Sequence, residues 1–256
     1  MTPTTLLAAI AITLTQYALP ENWGTLRGQI LLDGPVPPPQ RIHRQGDDVK
    51  DAAVCSAADL YREDLIVDPA THGLQHVFVY LYRAPRKIHP SHKDITSTVN
   101  VQIRRCAFVP HTLLVQAGQQ VAITSDDDVL HNPHVFPLRN TPPSMLMTPR
   151  AEDGRGFVLP FPQRESLPMR VTCDFHRWME AYWLILDHPY MAITDSTGRF
   201  TIPHLPVGEY EFRLWHERAG YLDRRWKVTV APGENRRPPR LFPLSDFLPD
   251  DDRQPR

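Results

Sequence analysis

The chain is poor in cysteine and has no long apolar run, no block of one charge and few stretches with a helical period. Three cysteines in 256 residues exclude a dense disulfide scaffold, so each thiol needs its own account. The N-terminal apolar run Leu6–Leu14 is too short to cross a bilayer. Basic residues number 28 and acidic ones 29, for a net charge of −1. Only Arg236-Arg237 stands out as a basic pair, so there is no electrostatic case for a nucleic-acid partner. Gly-x-Ser-x-Gly, His-Glu-x-x-His, a phosphate-binding glycine loop and Cys-x-x-Cys-His are all missing. The carboxylates of Glu209 and Glu211 alternate on a strand as solvated groups do. With no catalytic set visible, the chain reads as something other than an enzyme.

Proline is abundant instead, at 27 residues of 256. It donates no backbone hydrogen bond and fits helices badly, so this richness favours short strands and many turns. Leu26, Ile30 and Leu32 fall on one face of a strand that ends in the turn Asp33-Gly34. A short helix is expected around Asp51–Leu60 and a brief strand at Leu65–Val67. A stronger strand is expected over Val77–Tyr82, which is β-branched and aromatic throughout. Ala84–Asp94 reads as a linker. From Thr98 onward, strands follow closely, broken by an Asp126-Asp127-Asp128 corner and a long Pro- and Met-containing excursion over Leu138–Gly156. This rhythm predicts an all-β fold of sandwich type.

The chemistry concentrates in Val171–Met179, read VTCDFHRWM, where Cys173, His176 and Met179 succeed one another at intervals of three. Upstream lies a second polar cluster, Leu130-His131-Asn132-Pro133-His134. A thiolate, two imidazoles and a thioether converging from these segments suit copper. That ion accepts a trigonal plane of two nitrogens and one sulfur, with a weak axial Met, in both oxidation states. Structural zinc would ask for a fourth strong ligand rather than a thioether. Asn132 is placed to hydrogen-bond across to the cysteine loop and lock the two segments together. The loop imidazole of His176 would be the exposed point of electron entry. Trp178 and Trp183 read as packing residues. His111, His188, His204 and His216 read as scattered surface or hydrogen-bonded residues, not ligands, and no second three-histidine set is evident. Cys55 and Cys106 either pair, if the compartment is oxidising, or remain two buried free thiols.

Residues 98–187 resemble a cupredoxin, and the tight Cys-x-x-His-x-x-Met loop resembles the amicyanin subtype, with plastocyanin-like ligand order. The resemblance rests on LHNPHVF at 130–136, on Phe108-Val109-Pro110, Val115-Gln116-Ala117-Gly118 and Val121–Asp126, and on the cysteine loop. It implies a Greek-key β-sandwich with one type 1 (blue) copper per chain, ligated by His131, Cys173, His176 and Met179. His134 matches a position that is not a ligand. Phe175 and Arg177 flank His176 where this subtype commonly has proline. Asp174 adds negative charge beside the thiolate, which favours Cu(II) unless it is solvated or paired.

Thr194–Leu214, read TDSTGRFTIPHLPVGEYEFRL, resembles the carboxypeptidase regulatory-like (transthyretin-like) β-sandwich. Its turns call for glycines with positive φ. The opening pieces of that fold lie far upstream, at Leu26–Gly34 and Gly73–Tyr82. The expected organisation is therefore a leader at 1–19, a discontinuous sandwich from 20–97 and 188–243, a cupredoxin unit at 98–187 inserted in it, and a flexible tail at 244–256. Two consecutive domains are the alternative. Met1–Leu19 fits a secretory leader with Ala18 near its cleavage point, or else is a frayed terminus. A leader implies a periplasmic or secreted protein with no transmembrane span. The functional expectation is an exported one-electron carrier that meets a redox partner protein. The alternative is a structural or adhesion protein of the cell envelope whose copper module is vestigial.

Overall fold

The computed structural model describes residues 22–92, 95–143, 145–149 and 156–248; the expected leader lies outside them. The fold is all-β, built of two stacked sandwiches. In the first, strand Trp23–Asp33 pairs with Arg199–Pro206 on one side and, in parallel, with Gly233–Arg236 and Arg240–Pro243 on the other. The facing sheet runs Met191–Ile193, Phe78–Leu81, Gly208–His216, Gly220–Val230. Leu26, Ile30, Val79, Phe200, Ile202, Phe212 and Val228 fill the space between them. Gly198 and Gly208 take positive φ values of 76 and 153, conformations that a Cβ would oppose.

The second sandwich is made by the chain between Val99 and Leu186. One sheet runs Phe157–Pro160, Gln120–Ser125, Val99–Arg104, Ala107–Val109, and the other Thr112–Gln116, Glu180–Leu186, Met169–Cys173, Pro133–Val135. Alternation along Val99–Arg104 and Gln120–Ser125 sends Val101, Ile103, Val121 and Ile123 inward, against Phe108, Val171 and Trp183.

The two sandwiches meet back to back. Phe78, Tyr80 and Trp215 from one pack on Leu184 and Leu186 from the other. This contact explains why the run at 77–82 does not alternate. Strand Phe78–Leu81 is buried on both faces, and a strand with two apolar neighbours needs apolar residues at every position.

Three local expectations are corrected. The helix expected over Asp51–Leu60 is a single turn, Ala52–Cys55. No strand forms over Leu65–Val67, where only Val67 bridges Leu74. The tail is not loose from its start: Leu244–Phe247 forms a 3-10 turn, and Phe247 is buried edge-on against the His216 ring. A fourth correction concerns residues 41–61, expected to belong with the first sandwich. Their hairpin, Arg41–His43 with Leu60–Tyr61, and the helix turn form a strap over the second sandwich. Val49, Val54 and Cys55 join that sandwich's core, and Cys55 is disulfide-bonded to Cys106.

Candidate metal centre

Strand Met169–Cys173 delivers Cys173 opposite Pro133 in the neighbouring strand. The residues before Pro133 therefore arrive beside the thiol. His131 is held there by a two-way backbone bridge to Met147. Beyond Cys173 the chain folds into a tight loop. The Asp174 N–H donates to the Asn132 carbonyl, and the Met179 N–H donates to the His176 carbonyl. The loop then enters strand Glu180–Leu186.

Folding thus brings Cys173, His131 and His176 to one point. The Cys173 Sγ lies 3.9 Å from His131 Nδ1 and 3.8 Å from His176 Nδ1. The two rings stand 4.9 Å apart at 56°. Both histidines are fully buried, and Cys173 and Met179 are each 2% exposed. Met179 lies in the same apolar cluster as Cys173. The Asn132 N–H points at the sulfur at 3.4 Å, while its side-chain amide donates to Asp174 at 3.0 Å. That amide and His134 pair with the Asp174 carboxylate, which is half exposed, so its charge is both solvated and shared.

Two carboxylates missing from the sequence reading complete the arrangement. His131 Nε2 donates to Asp127 at 3.0 Å, and His176 Nε2 donates to Asp51 at 2.8 Å. A carboxylate accepts only, so each ring carries a proton on Nε2 and turns Nδ1 toward Cys173. Asp127 is itself held by the N–H groups of Arg105 and Cys106. Asp51 sits at the start of the helix turn that ends in Cys55. The Cys55–Cys106 disulfide therefore ties the segment that carries Asp51 to the Cys106 backbone that holds Asp127, and its sulfurs lie within 4.8 Å of a His176 nitrogen.

Burial alone would push the Cys173 thiol up. The His131 and His176 imidazoles and the Asn132 N–H outweigh it and hold the thiol down at about 5. Burial would lower His131, but Asp127 and the thiolate raise it. Burial would raise Asp127, but His131 and the two backbone N–H groups lower it. These surroundings favour the thiolate, the form a metal ligand takes, and a metal would displace any proton held on Nδ1.

The donor set fits copper. A metal about 2.3 Å from sulfur and about 2.0 Å from nitrogen separates these donors by about 3.7 Å in a trigonal plane and about 3.5 Å in a tetrahedron. The observed 3.9 and 3.8 Å leave room for one ion between the three donors.

Other expectations fare differently. His176 is not exposed: Asp51 caps its Nε2 and Trp178 stands against its ring at 5.2 Å. The cause is the strap, which no resemblance to a single sandwich could foretell. Trp183 is core, and the Trp178 Nε1–H donates to the Cys106 carbonyl. Of the two alternatives for His111, His188 and His216, the hydrogen-bonded one applies: all three are buried, His188 and His216 each accept a backbone N–H at Nδ1, and His111 bonds Glu217. Of the missed carboxylates, Asp127 was visible four residues before His131, within the acidic corner. Asp51 lies 125 residues from its partner and left no local signal.

No known protein-family model matches the chain, and no curated protein matches it. Among solved structures, a purple cupredoxin from Nitrosopumilus maritimus is 18% identical, covering 34% of this chain and 98% of that one at a TM-score of 0.29. Amicyanin from Paracoccus versutus is 14% identical over 42% of this chain and 96% of its own, at a TM-score of 0.29. A copper-containing nitrite reductase from Thermus scotoductus is 16% identical over 41% of this chain, at a TM-score of 0.29, and the match spans 25% of the reductase.

Proposed function

We propose that this chain is an exported type 1 copper protein that carries single electrons for a partner protein. One observation carries the reading: a buried thiol faces the Nδ1 atoms of two imidazoles whose Nε2 protons are each held by a carboxylate. Cys173, His131 and His176 would hold the ion in a plane, with Met179 as the soft axial group, and copper there supplies a one-electron couple. The protein's own contribution is rigidity. Asp127 and Asp51 fix the tautomers, Asn132 joins the two ligand segments and donates to the sulfur, and the strap excludes water. Little then has to move when charge changes.

Burial also favours a carrier over an enzyme. Cys173, His131 and His176 are at most 2% exposed, so a substrate has no open approach to their common point. An oxidising compartment suits the Cys55–Cys106 disulfide. Among the described residues no helix is long and apolar enough to cross a membrane. The sandwich that Trp23–Asp33 and Phe78–Leu81 form with the strands between Met191 and Pro243 is read as a carboxypeptidase regulatory-like unit into which the copper unit is inserted.

A visible spectrum after copper addition and mild oxidation, with copper counted per chain, tests this. An intense blue thiolate band at one copper per chain, bleached by reductant and lost in Cys173→Ser, is expected. A colourless protein that keeps its fold would overturn the carrier reading and leave the flanking sandwich as the working part.

A further inference from the structure

A second gathering of imidazoles lies on the first sandwich and shares no residue with the Cys173 centre. His89 and His92 lie at the 3-10 turn Pro90–His92, and His204 lies in strand Arg199–Pro206. The fold closes a sequence gap of 112 residues to set His204 Nδ1 3.4 Å from His92 Nε2. The Ser91 Oγ is 3.3 Å from the same His204 nitrogen and 2.8 Å from His89 Nδ1. The His89 ring lies flat on His204, centroids 4.1 Å apart and planes at 13°, and takes the edge of Trp23 on its far side. All three rings are half-buried. Among the described residues, no carboxylate forms an ion pair with any of them.

Two imidazole nitrogens facing each other must share a proton or a cation. A metal ion about 2.0–2.1 Å from each, at a tetrahedral angle, sets them about 3.3–3.4 Å apart, the separation found here. The backbone gives independent support. His204 has φ 56 inside a strand, a left-handed conformation that costs a residue with a Cβ on the order of 1 kcal/mol or more. The strain falls on the residue of that strand whose ring meets His92. Burial, then the neighbouring imidazoles, lower the pKa of His89 and His92, so both are neutral bases at pH 7, as ligation requires.

We infer that His92 Nε2 and His204 Nδ1 form a second metal site, for a divalent late transition metal such as Zn(II) or Cu(II). Solvent completes the coordination. The His89 ring stacks on His204 and supports it from behind. Nitrogen donors on a half-buried surface favour these ions over Mg(II) or Ca(II), which seek oxygen. The site does not depend on the copper reading of Cys173.

The test uses the full chain carrying Cys173→Ser and His176→Ala together, which leaves the first centre a single imidazole and no thiolate. Zn(II) is titrated by calorimetry and Cu(II) by electron paramagnetic resonance. One ion per chain is expected, with nitrogen hyperfine coupling for Cu(II). His92→Ala and His204→Gly each weaken binding by more than about tenfold, and His89→Ala by about tenfold or less. Glycine accepts φ 56 without strain, so His204→Gly keeps or raises the melting temperature while losing the ion. That outcome separates lost ligation from lost folding. Absence of binding in the Cys173→Ser, His176→Ala chain overturns the proposal, as does binding unchanged when His92→Ala or His204→Gly is added to it. A failed blue band with intact second-site binding would count against the carrier reading alone.

Discussion

His131 and His176 are buried as completely as His188 and His216, yet the molecule treats the two pairs in opposite ways. At the Cys173 centre every ring nitrogen has a partner, a carboxylate on one side and the thiol on the other. In the first sandwich, His188 and His216 accept one backbone N–H at Nδ1, and their Nε2 atoms have no hydrogen-bond partner. Those rings pack as neutral aromatic groups. The paired rings are aimed. A buried imidazole that recruits a carboxylate incurs the desolvation of a charge, and that cost is retained where orientation matters.

The sharpest way to break the comparison is to remove a recruited carboxylate. Asp127 is 4% exposed and accepts from His131, Arg105 and Cys106 together. Asp127→Ala leaves those donors buried and unmatched, so a loss of about 3–5 kcal/mol is expected, with copper affinity down about 10–100-fold. Chemical unfolding and a metal titration read the two effects. A change under about 1 kcal/mol would mean that Asp127 is no more embedded in the fold than a surface acid.

Next in size is the staple. The Cys55–Cys106 bond spans 51 residues, and opening such a loop costs about 2–4 kcal/mol. It also frees the strap that carries Asp51. Replacing both cysteines with alanine should therefore lower stability and open His176 to a histidine-modifying reagent, while His216 stays protected. Equal protection of both rings would show that the strap holds without its bond.

Much of this architecture was legible in the residues. Alternation of Val99, Val101 and Ile103 announced a half-buried strand, and the β-branched, aromatic run at 77–82 announced a strong one, whose cover on both faces only folding supplies. The interval Cys-x-x-His-x-x-Met placed three groups on one tight loop, where spacing alone sets proximity. Legibility ended where folding rather than spacing makes the contact. Asp51 reaches His176 across 125 positions, and His92 meets His204 across 112. The strap between them has no period and one helical turn, so nothing local declared which sandwich it would cover. Burial of His188 and His216 was hidden for a related reason. A polar residue in a bend, as His188 is, or at a strand's end, as His216 is, gives no sign that its neighbours will close over it.

Acid should expose the unpaired histidines. Burial lowers His216 to about 3 and His188 to about 4, against an ordinary 6.5. Between 6.5 and those values the unfolded chain binds protons that the folded chain refuses. Stability is therefore complete above about pH 6.5 and falls as pH drops below it. At about 1.4 kcal/mol per unit, His216 alone accounts for roughly 2–3 kcal/mol by about pH 4.5. Denaturant midpoints of the wild type and His216→Asn across this range measure it. The variant's profile should be flatter whatever its stability at neutral pH, and parallel profiles would show that His216 protonates without unfolding the chain.

The smallest effect sharpens the comparison most, because Asp51 is the less buried of the two carboxylates. Its side chain is 32% exposed, so water can replace it at His176 Nε2. Its φ of 56 is one that glycine and asparagine both tolerate. Asp51→Gly and Asp51→Asn therefore leave the backbone in place and change only what faces the ring. Asparagine keeps an acceptor without charge, whereas glycine leaves the ring to solvent. If the carboxylate serves orientation, Asp51→Asn should bind copper nearly as the wild type does, and Asp51→Gly about tenfold more weakly. Each should lose only about 1 kcal/mol of stability. If its charge matters more, both variants should weaken copper binding alike and shift the reduction potential in the same direction. Metal titration and the potential of the two proteins, side by side, distinguish an aimed imidazole from one that is merely neutralised.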